Sequence, residues 1–472
     1  MSLFRKKSLA TLLADAEHSP LKRTLGPVQL TALGIGSVIG TGIFVMTGTA
    51  AARNAGPALV VSMLFAAVAC AFAGLCYAEL ASMIPVAGSA YTYAFATVGE
   101  FAAWIIGWDL ILEYALATAT VAVGWSGYFV SFLDSVGVHL PLALTAAPGA
   151  PAMGQLRGGL FNLPAALIVL GVTALLVKGV RESARTNTVL VVIKAMVLVV
   201  FVAAGWHYVN PANHVPFVPP NTGAFGSFGW SGVIRATPVI FFAYIGFDAV
   251  STAAQEARNP QRDMPIGILV SLAICTVLYV AVAWVLTGIV HYSKLNVADP
   301  LAVGIDATGL TWLSPFIKIS ALFGMFSTML VTLLGQTRIF FTMSRDGLLP
   351  AAFGKVHERF RTPYVSTILT GTLVAIAAAL TPIDVLGVLV SMGTLLAFVL
   401  ACIGLLILRK TQPDTPRPFR TPWTPVVPVL GALLCLIQML ALPWQTWVRL
   451  FIWLAIGLVV YFARRRARHA RT

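Results

Sequence analysis

The run LGIGSVIGTGIFVMTG, residues 33–48, decides the fold of this chain. It is apolar enough to sit in a membrane, yet Gly34, Gly36, Gly40 and Gly42 fall within nine residues. Each interior glycine costs a helix about 1 kcal/mol against alanine in water. Four together mean either very close helix packing, through the GxxxG pair Gly36 and Gly40, or a helix that unwinds at mid-depth. A phosphate-cradling loop is excluded, because no Lys-Ser/Thr follows and the surroundings are apolar.

A second interrupted block separates the two readings. FFAYIGFDAVS, residues 241–251, carries Gly246 and the charged Asp248 inside an apolar run, about 207 residues after the first. Paired interruptions in corresponding halves point to a transporter site. Unwinding frees carbonyls that can accept an ammonium group. It also leaves a half-helix N-terminus, whose N–H groups and positive dipole end suit a carboxylate. Those two groups are the shared backbone of an α-amino acid.

The composition sets this pair in a membrane. Hydrophobic residues make up 58% of the 472 and charged residues only 10%, against about a quarter in soluble domains. The apolar residues come in blocks of about 20, the length that crosses a bilayer as helix. The short alternating segments of a β-barrel are missing. The fold class is therefore an all-α membrane protein with about twelve transmembrane helices. Spans are expected near 28–51, 57–83, 99–131, 162–180, 187–209, 231–254, 265–290, 312–343, 364–381, 384–408, 424–442 and 445–463.

The net charge of +14 is a topology signal. With the N-terminus inside, the connections holding Arg5, Lys22, Lys178, Arg258, Arg345, Arg361, Arg409, Arg420 and Arg464 fall on one side. The other side holds only Arg53, Arg157 and Lys294. Both termini are expected in the cytoplasm, with the chain in the cell membrane. Residues 1–27 are polar and read as a cytoplasmic segment with a short amphipathic helix near 8–17, rather than a cleavable signal. The basic tail 464–472 reads as a stop-transfer and lipid anchor. Cys70, Cys76, Cys275, Cys402 and Cys435 lie in apolar runs without CxxC spacing, and read as packing residues.

Charges inside spans cost about 2.5–3.5 kcal/mol on insertion scales, so each needs a reason. Lys194, in TNTVLVVIKAMVLVVFV (186–202), lies about two turns into the fifth span, too deep for simple snorkelling. A buried amine can load and release a proton, which makes Lys194 the expected proton-coupling residue. Asp109 and Glu113 share one face of the third span. Glu113, the deeper, could balance Lys194, set substrate charge preference, join a proton relay, or be structural. Asp109 reads as a structural acid paired to backbone or tryptophan groups. Glu79, Asp248 and Glu256 read as inner-gate or anchoring charges meeting Arg338, Arg345 or Arg262. Lys318 and Arg235 read as snorkelling near outer ends. Met325 reads as a wall of the side-chain pocket that favours neutral substrates over arginine.

The motifs carry a resemblance. GIGSVIGTGIFVMTG (34–48), AELASMIPVAGSAYTYAF (78–95), GWDLILEYALATATVAVGWS (107–126), FFAYIGFDAVSTAAQEARNPQRDMPIGI (241–268) and GQTRIFFTMSRDGLLP (335–350) resemble the amino acid–polyamine–organocation superfamily. Within it they are most similar to the cationic amino acid transporter family in its twelve-helix bacterial form. The resemblance implies the LeuT-type fold of two inverted five-helix repeats, here 28–209 and 231–408, with two more helices in 424–463. It implies ammonium-binding carbonyls at Val38, Phe242, Ala243 and Ile245. Carboxylate-binding amides fall on Thr41 and Gly42, with Ser37 nearby, and Phe242 takes the aromatic gate position. Lys194 matches a lysine standing where sodium-coupled relatives hold a sodium ion.

The expected activity is proton-coupled import of small or medium neutral amino acids by alternating access. The alternatives are amino-acid exchange on the same fold, or cationic amino acid uptake. No enzymatic cluster of His, Asp, Ser or Cys occurs at a membrane face. No cofactor is expected beyond the coupling proton. The partners are the amino acid and the lipid bilayer, without nucleic acid, and a small accessory membrane subunit stays open.

Overall fold

Backbone inside a bilayer has no water to bond to, so each apolar block closes its own hydrogen bonds as helix. The computed structural model describes residues 24–84, 89–150, 159–179 and 184–469. The amphipathic helix expected near 8–17 and the end of the basic tail lie outside these residues. Among the described residues, eight helical runs are long and apolar enough to cross a membrane, with four shorter apolar helices beside them. The protein is a multi-span helical membrane protein.

The described residues open with α1 (Pro27–Val38), a break, and a helical run of π and α turns from Gly42 to Ala55. Gly56, with φ +58°, parts that run from α2 (Leu59–Met83). Next come α3 (Ser89–Thr97), α4 (Glu100–Ser135), α5 (Leu163–Lys178), α6 (Ala184–Gly205) and α7 (Gly229–Phe241). The second half continues with α8 (Pro260–Ile289), α9 (Pro300–Asp306), α10 (Ser314–Arg345), α11 (Tyr364–Leu380) and α12 (Ile383–Thr411). It closes with α13 (Val426–Ala441) and α14 (Trp444–His469). The short helices α3 and α9 sit where hydropathy marks only connections.

The long pair α4 and α10 forms the frame. With 36 residues, α4 runs about 54 Å, well past a 30 Å hydrocarbon core. Gly107 faces Met343, Tyr114 faces Gly335, and the hydroxyls of Thr118 and Thr332 bond at 2.9 Å. One number rises as the other falls, so the two helices are antiparallel. Helix α14 is fastened to this frame by indoles. Trp108 Nε1 donates to the Trp453 carbonyl at 2.8 Å, and Trp453 Nε1 returns the bond to Trp108 at 3.0 Å. Trp104 Nε1 reaches the Gly457 carbonyl at 2.9 Å.

The basic face is knotted around one acid. Glu79, at the end of α2, is fully buried. Arg409 of α12 donates to both its oxygens, at 3.0 and 2.7 Å, and the Thr421 amide adds a third bond at 2.7 Å. Arg417 Nε lies 3.3 Å away. The sequence reading sent Glu79 to Arg338, Arg345 or Arg262. The correction follows from chain path, because the connection after α12 folds back beneath α2. Arg338 instead lies 4.0 Å from Glu256. On the opposite face, Arg53 pairs with Asp384, tying the resumed first helix to the start of α12.

Breaking a buried pair strands the remaining charge, at a cost of about 3–5 kcal/mol. Glu79→Ala should therefore lower the melting temperature in detergent by at least about 5 °C, with Glu79→Gln less affected. An unchanged melting curve for Glu79→Ala would show that the knot carries no stability.

Candidate functional site

The two breaks lie against each other. Helix α1 stops at Val38, Ile39 is extended (φ −73°, ψ 100°), and the helix resumes as a π turn at Gly42. Helix α7, with Pro238 inside it, gives way to a 3-10 turn at Phe242–Tyr244. Ile245 is extended, and Gly246 has φ +121° before a second 3-10 run, Phe247–Glu256. A Cβ on Gly42 would lie 2.3 Å from Ala243 Cα, and one on Gly246 would lie 2.8 Å from the Ser37 carbonyl. Backbone touches backbone at both breaks, which only glycine allows. At Gly246 the positive φ adds a second reason.

The carbonyls released at the end of α1 are gathered by side chains. Lys194 of α6 is buried, and its Nζ donates to the Gly36 carbonyl at 2.9 Å and the Ile39 carbonyl at 3.3 Å. It also donates to Thr328 Oγ1 of α10 at 3.1 Å. Thr328 Oγ1 in turn lies 3.2 Å from the Ile39 carbonyl. From α8, the Tyr279 hydroxyl donates to the Val38 carbonyl at 2.9 Å. The amine thus sits at the negative dipole end of α1, within hydrogen-bond reach of these three oxygen acceptors.

Between the breaks lies a cavity of about 40 Å³, room for a few water molecules. Ser37, Val38, Thr41, Gly42, Phe242 and Ile245 line it. Glu113 lines it too, together with Asp248, Tyr114, Thr328 and Thr332. Ala243 and Met325 stand behind the wall. Met325 is fully buried, and its sulfur accepts from the Thr41 hydroxyl at 3.2 Å. The Phe242 carbonyl receives the Ile245 amide at 3.3 Å.

The acids differ in their surroundings. Asp248 is held by backbone amides at the start of its 3-10 run, and Glu113 reaches the Thr394 hydroxyl. One Glu113 oxygen and the Tyr114 hydroxyl have no hydrogen-bond partner among the described residues. Asp109 is fully buried, and neither of its oxygens has such a partner. That overturns its reading as an acid paired to backbone or tryptophan. Trp104 and Trp108, on the same helix, turn their indoles to α14 instead.

A larger cavity of about 280 Å³ lies toward the face opposite the basic connections, lined by Val45, Arg53, Gly127, Asp299 and Asp384 among others. Thr328 and Tyr279, which hold the α1 carbonyls, were not among the residues singled out from the sequence. A lone threonine or tyrosine within an apolar span gives no signal of its own.

The chain is similar to known membrane transport proteins. The family model described as "Amino acid permease" matches residues 25–462. The chain belongs to the amino acid permease family. It is 50% identical to the branched-chain amino acid permease BcaP of Bacillus subtilis, over 100% of this chain and 99% of that protein. It is 49% identical to the methylthioribose transporter of Bacillus subtilis, over 98% of each. Human cationic amino acid transporter 4 is 35% identical, over 85% of this chain and 62% of that protein. These relatives are permeases and transporters, not enzymes.

The close backbone approach at Gly42 makes a specific prediction. Gly42→Ala must push the two breaks apart, and uptake should fall at least tenfold while the protein still reaches the membrane. Uptake within twofold of the parent would show that the approach at Ala243 is dispensable.

Proposed function

We propose that this permease imports small or medium neutral amino acids across the cell membrane by proton symport. Its chain crosses about twelve times, with both termini in the cytoplasm and two inverted five-helix repeats of the LeuT type. The substrate's ammonium group meets carbonyls at Val38, Phe242, Ala243 and Ile245. Its carboxylate meets the amides of Thr41 and Gly42, which open the resumed helix and have no intrahelical partner of their own. Ser37 stands beside them, and Phe242 closes over the substrate. Met325, behind Thr41, fills the space a long cationic side chain would need.

One observation carries the coupling: the Lys194 amine holds two carbonyls at the end of α1 together with Thr328. An ammonium group has three N–H donors and no lone pair, matching three acceptors. A neutral amine would turn its lone pair on a carbonyl oxygen, so losing the proton weakens the grip on α1. Release of α1 from α6 and α10 then opens the site toward the basic face. Proton gain and loss at Lys194 thereby tie the movement of α1 to the proton gradient. The names of the two relatives near 50% identity bear on the substrate: one is a branched-chain amino acid permease and one a methylthioribose transporter, neither name denoting a cationic substrate, while the cationic amino acid transporter is more distant at 35% identity.

Lys194→Met should abolish accumulation driven by an acid exterior and leave counterflow exchange at no less than a third of the parent. Undiminished uphill uptake by Lys194→Met would remove proton coupling from this residue. A thermal-shift panel of the twenty amino acids and methylthioribose, at two pH values, tests the substrate class. The expected result is stabilisation by neutral amino acids that strengthens in acid. Response to arginine and lysine alone would overturn the neutral preference.

A further inference from the structure

The sequence reading makes Arg262 a partner for Glu79, Asp248 or Glu256. The structure gives Glu79 to Arg409 and Arg417, Glu256 to Arg338, and Asp248 to backbone amides. Arg262, the third residue of α8, is exposed, and among the described residues its guanidinium has no partner. It stands instead at a groove of about 530 Å³ between the start of α8 and the loop 412–424. Gln261 and Arg262 line one end. Ile266, Leu269 and Val270 continue the lining along α8, and Phe419 adds to it from the loop.

The groove crosses the membrane boundary. The 30 residues of α8 run about 45 Å, against a hydrocarbon core of about 30 Å. Shared between both ends, the excess puts about the first five residues in the headgroup layer and Pro265 onward in hydrocarbon. Arg262 and Val270 are separated by about 12 Å along the helix, so the groove leads from a charge among headgroups to an apolar channel among acyl chains. Asp263 does not cancel that charge, because it is buried and its Oδ2 accepts the Asn259 amide at 3.1 Å. Arg258 and Arg420, neighbours in sequence of the lining residues, are exposed as well. The mouth of the groove is cationic, which suits an anionic headgroup.

Two joints of the basic face flank this groove. On one side, Arg417 and Thr421 bracket Phe419 in sequence, and both hold Glu79. On the other, the Arg258 amide donates to the Leu25 carbonyl at 2.8 Å and the Leu25 amide to the Glu256 carbonyl at 2.9 Å. That pair ties the start of α1 to the residues just before α8. We propose that the groove holds an anionic phospholipid, its phosphate at Arg262 and an acyl chain along residues 265–270, and that this lipid fastens the loop 412–424 to α8. Which leaflet supplies the lipid rests on the topology proposed above; the groove and its charge do not.

The full chain, freed of lipid in detergent, is followed by amide hydrogen exchange as phosphatidylglycerol, or phosphatidylcholine with the same acyl chains, is added. Phosphatidylglycerol should slow exchange at least threefold in both residues 257–264 and residues 417–424, and phosphatidylcholine should not. Arg262→Gln should raise the phosphatidylglycerol concentration needed about fivefold, the share one arginine holds near an anionic surface. Lys355→Gln, which removes an exposed charge from the connection after α10, should leave it within twofold. Equal protection by phosphatidylcholine, or by inorganic phosphate without lipid, overturns the proposal. Protection confined to one segment, or an equal loss with Lys355→Gln, does the same. So does protection of both segments before any addition, which would mean that protein covers the groove. Exchange in detergent is blind to sidedness and to transport, so a failure here leaves the proposed symport standing, and Lys194→Met tests that separately.

Discussion

Carbonyl oxygens set free inside a membrane must find donors within the protein, because lipid offers none. The end of α1 obeys that constraint through Lys194, Thr328 and Tyr279, drawn from α6, α10 and α8. The break is possible only where these three helices converge on it. Their positions depend in turn on the long antiparallel pair α4 and α10. A cationic donor is the adjustable member of the set. A hydroxyl always keeps one hydrogen to give, whereas an amine changes its donor count with its proton.

The same economy of backbone shapes the second break. Gly42 and Gly246 remove two side chains so that main chain can approach main chain. The polar groups left between them face a space of about 40 Å³, too small for most amino acids. In this conformation the breaks are closed upon each other, while the larger cavity lies toward the opposite face. The two places are held by different chemistry. One is an amine on carbonyl oxygens, the other a pair of buried or half-buried ion pairs, Arg53–Asp384 and Lys318–Asp299.

Much of this was legible from residue order. Glycine clusters and a mid-span Asp248 signalled the breaks, because local propensity and local cost are written in consecutive residues. Lys194 was legible for the same reason, as a charge with apolar neighbours on both sides. Pairings between distant parts of the chain were not. Glu79 meets Arg409 and Arg417, and Lys318 meets Asp299, across more than a hundred helix-separated positions or a folded-back loop. Nothing in either local sequence names the partner. Lys318 looked like a membrane-edge lysine, yet it is buried beside Asp299; residues 295–300, which carry that acid, read as an ordinary loop. Asp109 was misjudged for the converse reason: tryptophans adjacent in sequence point away from it, toward α14.

Those tryptophans have a consequence of an optical kind. Trp108 and Trp453 stack with ring centroids 4.8 Å apart and an interplanar angle of 22°. Trp104 stacks on Trp108 at 5.6 Å. Gly457 makes the fit possible, since a Cβ there would lie 2.5 Å from the Trp108 ring. Indoles so close share their excited states, and their emission reports on the joint between α14 and the frame. The breaks of the first and seventh helices and residues 295–300 contain no tryptophan. Among the eleven tryptophans of the chain, this stack thus lies at the joint of α14 with the frame, set apart from the two breaks.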